Sequence, residues 1–496
     1  MTTERGVVDD LDTFVPRVVA QLSEGARFCG LFASAQGDAA TLLRCVLAQD
    51  GHLPYEDTLV PAHSAGFPSL ADHTPAAAWY EREIHDLFGL VPLGHPRLDP
   101  LVLPLLREET PPRPGSGSER APVVIDTDPL PAHLLGEGVF TIPYGPVRSG
   151  VFESIEYLVE TPGEDIPHLR TRVFHKHRGV ECRFEGMGVE DGVLLAERTE
   201  GVASVAHALA FSQAIERIAQ VEVSEGAAVV RVIHAELERV ANHLDSTIRH
   251  TEAAGQAVAY ARLSLHKERV QRLRAQLCGS RFGRGVVVPG GVGGPLRLES
   301  SQLFAAIDKI ERDVRSDLRL LLATPSFVDR IRGTGLIDHE LAASYALLGP
   351  VGRASGQNED VRFTRPYAAY MRLGHQLLDV GEGGDALARQ RVRNEEIAGS
   401  FHLIRQAIDR LSSTDHREWK RPLGAVSGEA MGWAEAPQGE VLYLVSIEDG
   451  ALVRVKPRSA SFHNLAAFHA SFPKDILTDF AFIEASFGLS IAGVAG

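Results

Sequence analysis

The sequence predicts an α+β protein, in which a small N-terminal α+β domain precedes a mainly helical bundle domain with a peripheral β-hairpin or sheet. With 496 residues, the chain has room for two or three domains that each bury a core. Residues 111–122 (PPRPGSGSERAP) are rich in Pro, Gly and Ser, which indicates a linker. Five later segments carry apolar residues at helical spacing. We therefore predict a first domain at 1–110, a linker at 111–130 and a second domain at 131–496.

Strands are predicted in both domains. The runs FCGLFASAQ (28–36) and TLLRCVLAQ (41–49) are apolar and are bounded by polar or glycine residues, which is typical of strands. TIPYGPVRSGVFESIEYLVE (141–160) alternates around a Gly-Pro turn and predicts a hairpin, or a strand with a tight loop. GEVLYLVSIEDGALVRVKP (439–457) predicts two strands joined at the turn EDG.

The second domain is predicted to be built around a bundle of helices. Its helical segments have few breakers and span residues 203–221, 227–252, 257–278, 299–323 and 386–412. Five helices of this length in one region predict a bundle, with the hairpin segment packed beside it.

Charge and cysteine content exclude several functions. The formal net charge is -15, whereas a general nucleic-acid binder needs a surplus of Lys and Arg. The cysteines form no CxxC pair, so neither a zinc knuckle nor a local iron-sulfur motif is predicted; they are Cys29, Cys45, Cys182 and Cys278. Such scattered thiols suit a reducing cytosol. The first residues are acidic and no window approaches 18 apolar residues, so we expect neither secretion nor a membrane span.

Two charged stretches allow alternative interpretations. Between Arg262 and Arg284 the chain has seven basic residues and the single acidic Glu268. This stretch is either a solvated helix face, or a face that pairs with an acidic partner or lines a polar cavity.

In HAELERVANHL (234–244), four polar residues fall roughly along one side of a helix: Glu236, Arg239, Asn242 and His243. They form either a buried hydrogen-bonded network or an exposed polar face.

Histidines cluster in FHKHRGVE (174–181). If His175 and His177 lie on a strand, their rings point to one face and can begin a metal site, but further ligands are not visible nearby. The alternatives are ordinary packing and a polar site in which His177 and Arg178 handle protons or a polar headgroup.

Longer motifs resemble known subunits. WYEREIHDLFGL (79–90), followed by GHPRLDPL (94–101), resembles the signature of the small peripheral subunit of respiratory complex I, where its acidic and aromatic residues pack an interface. The second domain resembles the large subunit of the superfamily shared by the quinone-site subunit of complex I and the membrane-bound nickel-iron hydrogenases, including formate hydrogenlyase. Its matching motifs include HKHRGVE (175–181), HAELERVANHL (234–244), GPVGRASGQNEDVR (349–362) and RSASFHN (458–464).

The resemblance also shows where this chain departs from the hydrogenases. Those relatives hold nickel and iron through two CxxC pairs, since soft thiolates are needed to bridge the metals. At the four positions this chain has Glu200, Ala203, Ser490 and Gly493. The resemblance therefore implies that all four metal ligands are lost, so that this chain binds no metal.

The resemblance implies a set of site residues in the emptied cavity. The residues expected to act in catalysis or proton transfer are Glu153, His177, Arg178, Glu200 and His207. Those expected to contact a cofactor are Arg148, which stands in the turn where complex I bears a His, together with Arg353 and Asp360.

Three functions follow from this resemblance. The first is a large subunit of a membrane-associated redox complex that couples iron-sulfur electron transfer to proton or ion movement without nickel-iron chemistry. The second is reduction of a quinone or another small substrate in the same cavity, and the third is a structural adaptor. The implied partners are a small iron-sulfur subunit, which would hold the clusters, and membrane-embedded proton-channel and antiporter-like subunits. The implied location is peripheral, on the cytoplasmic face of the inner or plasma membrane.

Overall fold

The protein has mixed α+β architecture, as predicted. The structure is a computed structural model, and it describes residues 11–104, 113–115, 138–148, 153–374, 383–413 and 418–496. Of the predicted linker at 111–130, all but residues 113–115 lies outside the described residues. The domain boundaries therefore stay a prediction.

The N-terminal region is a small antiparallel sheet flanked by two helices. Its elements are α1 (Leu11–Ser23), β1 (Arg27–Gln36), β2 (Ala40–Ala48), β3 (Tyr55–Pro61), β4 (Gly66–Pro68), α2 (Ala78–Phe88) and β5 (Val91–Leu93). Strands β1, β2 and β3 pair in that order, whereas β4 and β5 form a short parallel pair. Both predicted strands of this region are confirmed.

A second antiparallel sheet follows, with the strands β6 (Phe140–Tyr144), β7 (Glu156–Thr161) and β8 (His168–Arg172) in that order. Strands β6 and β7 pair in antiparallel register, which confirms the predicted hairpin. The connection between them begins at the cis peptide bond Gly145-Pro146.

Helices dominate the middle of the chain. They are α3 (Val180–Phe184), α4 (Val189–Ala196), α5 (Ser204–Ala219), α6 (Glu225–Ala253), α7 (Ala257–Cys278), α8 (Ser300–Leu322), α9 (Pro325–Ile331), α10 (His339–Ser344), α11 (Gly349–Arg353), α12 (Val361–Thr364) and α13 (Ala386–Ser413), with the short pair β9 (Val287–Val288) and β10 (Gly291–Val292) between α7 and α8. The five long predicted helices correspond to α5, α6, α7, α8 and α13, and each end lies within two residues of its prediction.

The C-terminal part adds a third three-stranded antiparallel sheet and three short α-helices. They are β11 (Gly428–Ala436), β12 (Gly439–Glu448), β13 (Ala451–Arg458), α14 (Ala460–Leu465), α15 (Phe480–Phe487) and α16 (Ile491–Val494). The predicted pair of strands is β12 and β13, and β11 pairs with the other edge of β12.

Helix α6 is the centre of the bundle. It packs against α7, α13 and α15 and is buried over most of its length. A helix buried on nearly all sides must satisfy its polar side chains inside the protein. Helix α5 begins near the middle of α6 and lies across strands β11 and β12.

The N-terminal region and the C-terminal part share one apolar core. Phe28 and Tyr80 lie against Phe462 and His463, and the Tyr80 hydroxyl is 2.8 Å from Nδ1 of His463. Helix α2, which carries most of the WYEREIHDLFGL motif, therefore packs an interface within this chain.

None of the helices in the described ranges combines the length and the hydropathy that a bilayer crossing needs.

Candidate functional site

A pocket lies between the β6–β7 connection, helix α6 and the segment that joins α15 to α16. Polar lining side chains include those of Arg148, Glu153 and Asn242, and its volume of about 60 Å³ has room for several water molecules. Apolar side chains form about half of the wall, and they include Leu465, Phe468, Phe487, Leu489 and Ile491. The wall combines apolar surface with converging polar groups, as small-molecule sites do, but the volume is far below the roughly 300 Å³ of a typical site.

Arg148 is held firmly at the pocket wall. Its Nη1 donates to both carboxylate oxygens of Glu484 at 2.8 Å, and its guanidinium lies 5.3 and 5.5 Å from the ring centroids of Tyr144 and Tyr157. Burial opposes its charge, but the Glu484 carboxylate raises the pKa of Arg148 above its ordinary value. Arg148 is thus a fixed cation at the pocket wall.

Glu153 links the pocket to Ser490, one of the four positions where the resemblance predicts a lost metal ligand. Its carboxylate accepts a hydrogen bond from the Ser490 hydroxyl at 3.2 Å and another from the backbone N–H of Ala492. Ser490 also donates its backbone N–H to Oγ of Ser461 at 3.1 Å. The segment around Ser490 is thereby tied both to the pocket and to the interior.

Glu200, at one of the four positions where the resemblance predicts a lost metal ligand, is buried in the interior. Its Oε1 accepts from the Ser461 hydroxyl at 3.0 Å, and its Oε2 lies 3.1 Å from Nε2 of His207. A Cβ atom added at Gly493 would lie 2.6 Å from Glu200 Oε2, so the carboxylate and the fourth position are in direct contact. Two positions expected to carry thiolates therefore meet as a carboxylate and a glycine.

The hydrogen bonds continue from Glu200 into the core. Nδ1 of His207 lies 2.8 Å from the Tyr443 hydroxyl, which lies 3.4 Å from Oγ1 of Thr199. Burial raises the pKa of Tyr443 above its ordinary value, so its hydroxyl stays protonated. Glu200, His207 and Tyr443 are all buried, and together they can hold and pass a proton without exchanging it freely with water.

The start of α5 positions His207. Ala203 is the residue before the first turn, and the Glu238 carboxylate of α6 accepts the backbone N–H groups of Val205 and Ala206 at 2.9 and 3.1 Å. A carboxylate at this place satisfies free amides and suits the positive end of the helix.

His177 and Arg178 hold backbone and do not lie on a strand. His177 follows a turn of 3-10 helix at residues 174–176, so the strand placement required for an HxH metal site is not found. Its Nδ1 lies 2.9 Å from the Ala495 carbonyl, and burial lowers the pKa of its ring. Arg178 donates to the carbonyls of Thr199 at 2.6 Å and Ala492 at 2.8 Å. Arg178 therefore joins the segment around Thr199 to the C-terminal segment, whereas His177 holds only the C-terminal segment.

Arg353 and Asp360 lie deeper in the bundle. Arg353 donates to Glu396 and Glu435, whereas Asp360 pairs with Arg362. Neither residue lines the described pocket, and cofactor contact by this pair stays a prediction.

The polar side of α6 is buried, which decides between the two interpretations of that helix. Glu236, Arg239 and His243 have no exposed surface, whereas Asn242 reaches the pocket. The sequence could not decide this, because helical spacing shows which residues share a side but not what covers that side.

The basic stretch from Arg262 to Arg284 finds most of its acidic partners within the chain. The ion pairs are Arg262 with Asp317, Lys267 with Asp245, Arg269 with Asp313, Arg274 with Glu238, and both Arg272 and Arg281 with Glu268.

Three residues of the site were missed from the sequence. Ser461 lies in the motif RSASFHN and could have been found there, whereas Tyr443 and Glu484 stand in ordinary strand and helix patterns. The described residues contain no group of three or more His, Cys, Asp or Glu side chains arranged to hold a metal ion.

Two parts of the chain match known protein families. Residues 254–426 match the family model of the respiratory-chain NADH dehydrogenase 49 Kd subunit, and residues 55–115 match that of the 30 Kd subunit. The chain is therefore of the class of oxidoreductase-complex subunits.

Individual relatives narrow this class. The chain is 30% identical to hydrogenase-4 component G of Escherichia coli (strain K12) over 420 residues, which cover 82% of this chain and 71% of that protein. It is 28% identical to formate hydrogenlyase subunit 5 of the same organism over 423 residues, or 82% and 72% of the two chains. It is 27% identical to the C/D subunit of NADH-quinone oxidoreductase from Rhodopseudomonas palustris (strain BisB5) over 467 residues, or 83% and 79%.

The chain belongs to the family of large subunits that membrane-bound hydrogenases share with NADH-quinone oxidoreductase, with an N-terminal part of the 30 Kd subunit type.

Proposed function

We propose that this chain is the large subunit of a membrane-associated redox complex that couples iron-sulfur electron transfer to proton or ion movement without a nickel-iron centre of its own. The proposal includes a small iron-sulfur partner and membrane-embedded proton-channel and antiporter-like partners, with this chain peripheral on the cytoplasmic face. Its support is the family membership together with the chemistry of the former metal site.

The observation that carries the proposal is the contact between Glu200 and Gly493. A bimetallic centre needs four soft sulfur donors, and this site offers a carboxylate, an alanine, a serine hydroxyl and a glycine. The Glu200 carboxylate already fills the space beside Gly493 and is satisfied by Ser461 and His207. The residues present do not fit a nickel-iron group.

The residues that remain are suited to proton transfer. Glu153 reaches the pocket, and Glu200 with His207 forms a second pair of proton carriers farther inside. The hydrogen bond that joins the two groups is donated by the backbone N–H of Ser490 to Ser461, so it positions the residues and does not carry a proton. Carboxylates and imidazoles are the usual proton carriers, since each can accept and release a proton. We infer that protons enter from the pocket at Glu153.

Metal analysis and hydrogen uptake of the purified complex test the absence of nickel-iron chemistry. We expect no stoichiometric nickel and no hydrogen uptake, while the iron of the partner clusters is present. Nickel bound at one atom per chain would contradict the proposal.

Replacement of Glu153 separates a coupled enzyme from a structural adaptor. The change Glu153→Gln keeps the shape of the side chain and removes its ability to carry a proton, so we expect coupled turnover to fall about 10²- to 10⁴-fold. An adaptor would assemble and turn over as the unchanged protein does. Glu484→Gln is the matched control, because Glu484 lines the same pocket but is engaged by Arg148.

A second candidate is reduction of a quinone or another small substrate in this pocket. The apolar wall beside the fixed cation of Arg148 favours it, since a flat apolar headgroup with carbonyl oxygens would find both kinds of contact. Competition by a quinone analogue with turnover of the complex, lost on Arg148→Met, would support this candidate over the first.

A further inference from the structure

A cluster of charged side chains lies in the centre of the helical bundle, apart from the pocket. We call it the central polar cluster, and its members are 0–3% exposed: Glu236, Arg239, Arg353, Asp360, Arg362, Glu396 and Glu435. The cluster thus contains three guanidinium groups and four carboxyl groups, and each lies within ion-pair distance of at least one group of opposite charge. Burying a charge without compensation is strongly unfavourable. The stability of each carboxylate therefore depends on how many of the three arginines it pairs with.

Two of the arginines are occupied by three of the carboxylates. Arg362 lies 2.6 Å from Asp360 and 3.1 Å from Glu236. Arg239 lies 3.3 Å from Glu236 and 3.6 Å from Glu396. Glu236 is thus paired twice, and Asp360 and Glu396 each have a cation apart from Arg353.

Arg353 is the remaining cation, and three carboxyl groups compete for it. It lies 2.7 Å from Glu396, 3.0 Å from Glu435 and 3.7 Å from Asp360. Among the described residues, Glu435 has no other side-chain ion pair. It is therefore the member of the cluster with the least compensation.

The other groups around Glu435 do not supply a second cation to its carboxyl oxygens. The backbone N–H of Val361 donates to its Oε2 at 3.2 Å. Arg239 donates instead to the backbone carbonyl of Glu435 at 2.7 Å, and the Tyr367 hydroxyl accepts the backbone N–H of Glu435 at 2.9 Å.

The neighbouring strand places another acid opposite Glu435. Glu440 on β12 pairs in register with Glu435, and its charge is met by Arg27, Arg365 and Arg458. Those three arginines make their ion pairs with Glu440 and not with Glu435. On its other side, β11 packs against α5, whose Gln213 and Arg217 bond to backbone carbonyls farther along the strand.

His243 and Arg393 do not add a cation at contact distance. His243 hydrogen bonds to Glu396 at 2.8 Å, and burial lowers the pKa of its ring to about 4, so it is neutral near pH 7. Arg393 donates to the backbone carbonyls of Arg389 and Phe487.

We propose that the central polar cluster holds one exchangeable proton and that Glu435 carries it. Protonation forms one O–H bond on this carboxyl group and brings the contact charges to three cations and three anions. Release to water breaks that bond and changes no other. The use of this proton as a store during coupled turnover rests on the proposed function, whereas its presence does not.

The electrostatics agree with this assignment. Burial, and after it the nearby Asp360 charge, raises the pKa of Glu435 to about 7. For Glu396, burial acts in the same direction, but Arg353 and His243 outweigh it and hold its pKa well below the ordinary value. One carboxyl group of the cluster therefore titrates near neutrality while its neighbour stays ionised.

Infrared spectroscopy of the full complex tests the proposal directly. A pH titration is expected to show the carbonyl stretch of a buried protonated carboxylic acid, which decreases as the pH rises through neutrality and is lost in Glu435→Gln. Absence of a titrating band, or a band that survives Glu435→Gln unchanged, would overturn the assignment. The titration needs no turnover, so its failure is distinguishable from failure of the proposed function.

Thermal unfolding against pH is the second readout. A carboxyl group with a raised pKa favours the folded state at low pH, and this contribution is lost as the pH rises through the folded-state pKa. The Tm of the unchanged protein should therefore fall more between about pH 5 and pH 8 than that of Glu435→Gln. Glu396→Gln is the second variant: it leaves three carboxylates for the three guanidinium groups and frees Arg353 for Glu435, so the loss of the infrared band should move to lower pH. A Tm difference between Glu435→Gln and the unchanged protein that does not vary with pH would count against the proton on Glu435.

Discussion

At the residue scale, Gly493 leaves the space that the Glu200 carboxylate occupies. A methyl group at this position would lie 2.6 Å from Oε2 of Glu200 and 3.2 Å from Oγ of Ser459. The carboxylate cannot simply move away, because Ser461 and His207 hold it. Gly493→Ala should therefore lower the free energy of unfolding by about 1–3 kcal/mol, as overpacking of a core does.

A double-mutant cycle in urea unfolding checks this explanation. Adding Glu200→Ala to Gly493→Ala should recover part of the loss, because the two side chains then no longer compete for one space. Gly201→Ala is the matched control, since a Cβ atom there meets nothing within 4 Å and the residue is exposed. Strictly additive effects would show that Glu200 is not the group that excludes a side chain at 493.

The sequence predicted which residues belong to the site better than it predicted which side chains they contact. The family motifs predict Glu200, Ser490 and Gly493 as site positions, and the structure places Glu200 against Gly493. The partner His207 was also selected, but Tyr443 was not, because a tyrosine in an alternating strand looks like any core residue. Which buried polar atoms meet depends on contacts far apart in the chain, and spacing within a motif does not contain that information.

At the scale of elements, hydrogen bonds at the start of α5 fix the helix that carries His207. Glu238 accepts two backbone N–H groups there and lies 3.3 Å from Arg274. Glu238→Gln leaves at least one buried amide without its acceptor, so stability should fall by about 1–3 kcal/mol. Hydrogen exchange measured by mass spectrometry should become faster at Val205 and Ala206 than in the rest of α5.

Ser224→Ala provides the comparison for that experiment. Ser224 caps α6 by accepting the backbone N–H of Ala227 at 3.3 Å, and its loss should cost about 1 kcal/mol. Faster exchange should then be confined to the start of α6. If Glu238→Gln leaves exchange at the start of α5 unchanged, another group satisfies those amides.

Helices were predicted more completely than strands. The long helices carry apolar residues at a sustained spacing of 3.6, which fixes their ends within two residues. Strand β11 was missed because GEAMGWAEA is rich in Gly and Ala and lacks a clear alternation. That strand is nevertheless central to the cluster, since it carries Glu435.

At the scale of the whole molecule, a buried ion network ties the N-terminal region to the rest of the chain. Nζ of Lys456 on β13 lies 2.7 Å from Glu83 on α2 and 2.6 Å from Glu181 on α3. Arg454 also pairs with Glu181, at 2.6 Å, so Glu83 depends on Lys456 more than Glu181 does. The aligned motif predicted that α2 packs an interface, but only the folded chain shows that the partner is β13 and α14.

Lys456→Met should therefore weaken the whole fold and not one element. It leaves the Glu83 carboxylate buried without its cation, which typically costs about 3–5 kcal/mol. Thermal unfolding should begin earlier but remain a single transition, because the N-terminal region and the C-terminal part share one apolar core. Lys420→Met is the control, since its pair with Glu190 is largely exposed and its loss should leave the unfolding curve unchanged.

The double variant Glu83→Gln with Lys456→Met distinguishes the charge from the packing. If the penalty of Lys456→Met arises from an unpaired carboxylate, neutralising Glu83 should restore most of the lost stability. If the loss of stability arises instead from poorer packing of the methionine side chain, neutralising Glu83 cannot repair it. The double variant should then unfold at no higher temperature than Lys456→Met alone. Calorimetry of the two variants beside the unchanged protein therefore decides whether the two parts of the chain are joined by this charge or by the apolar core alone.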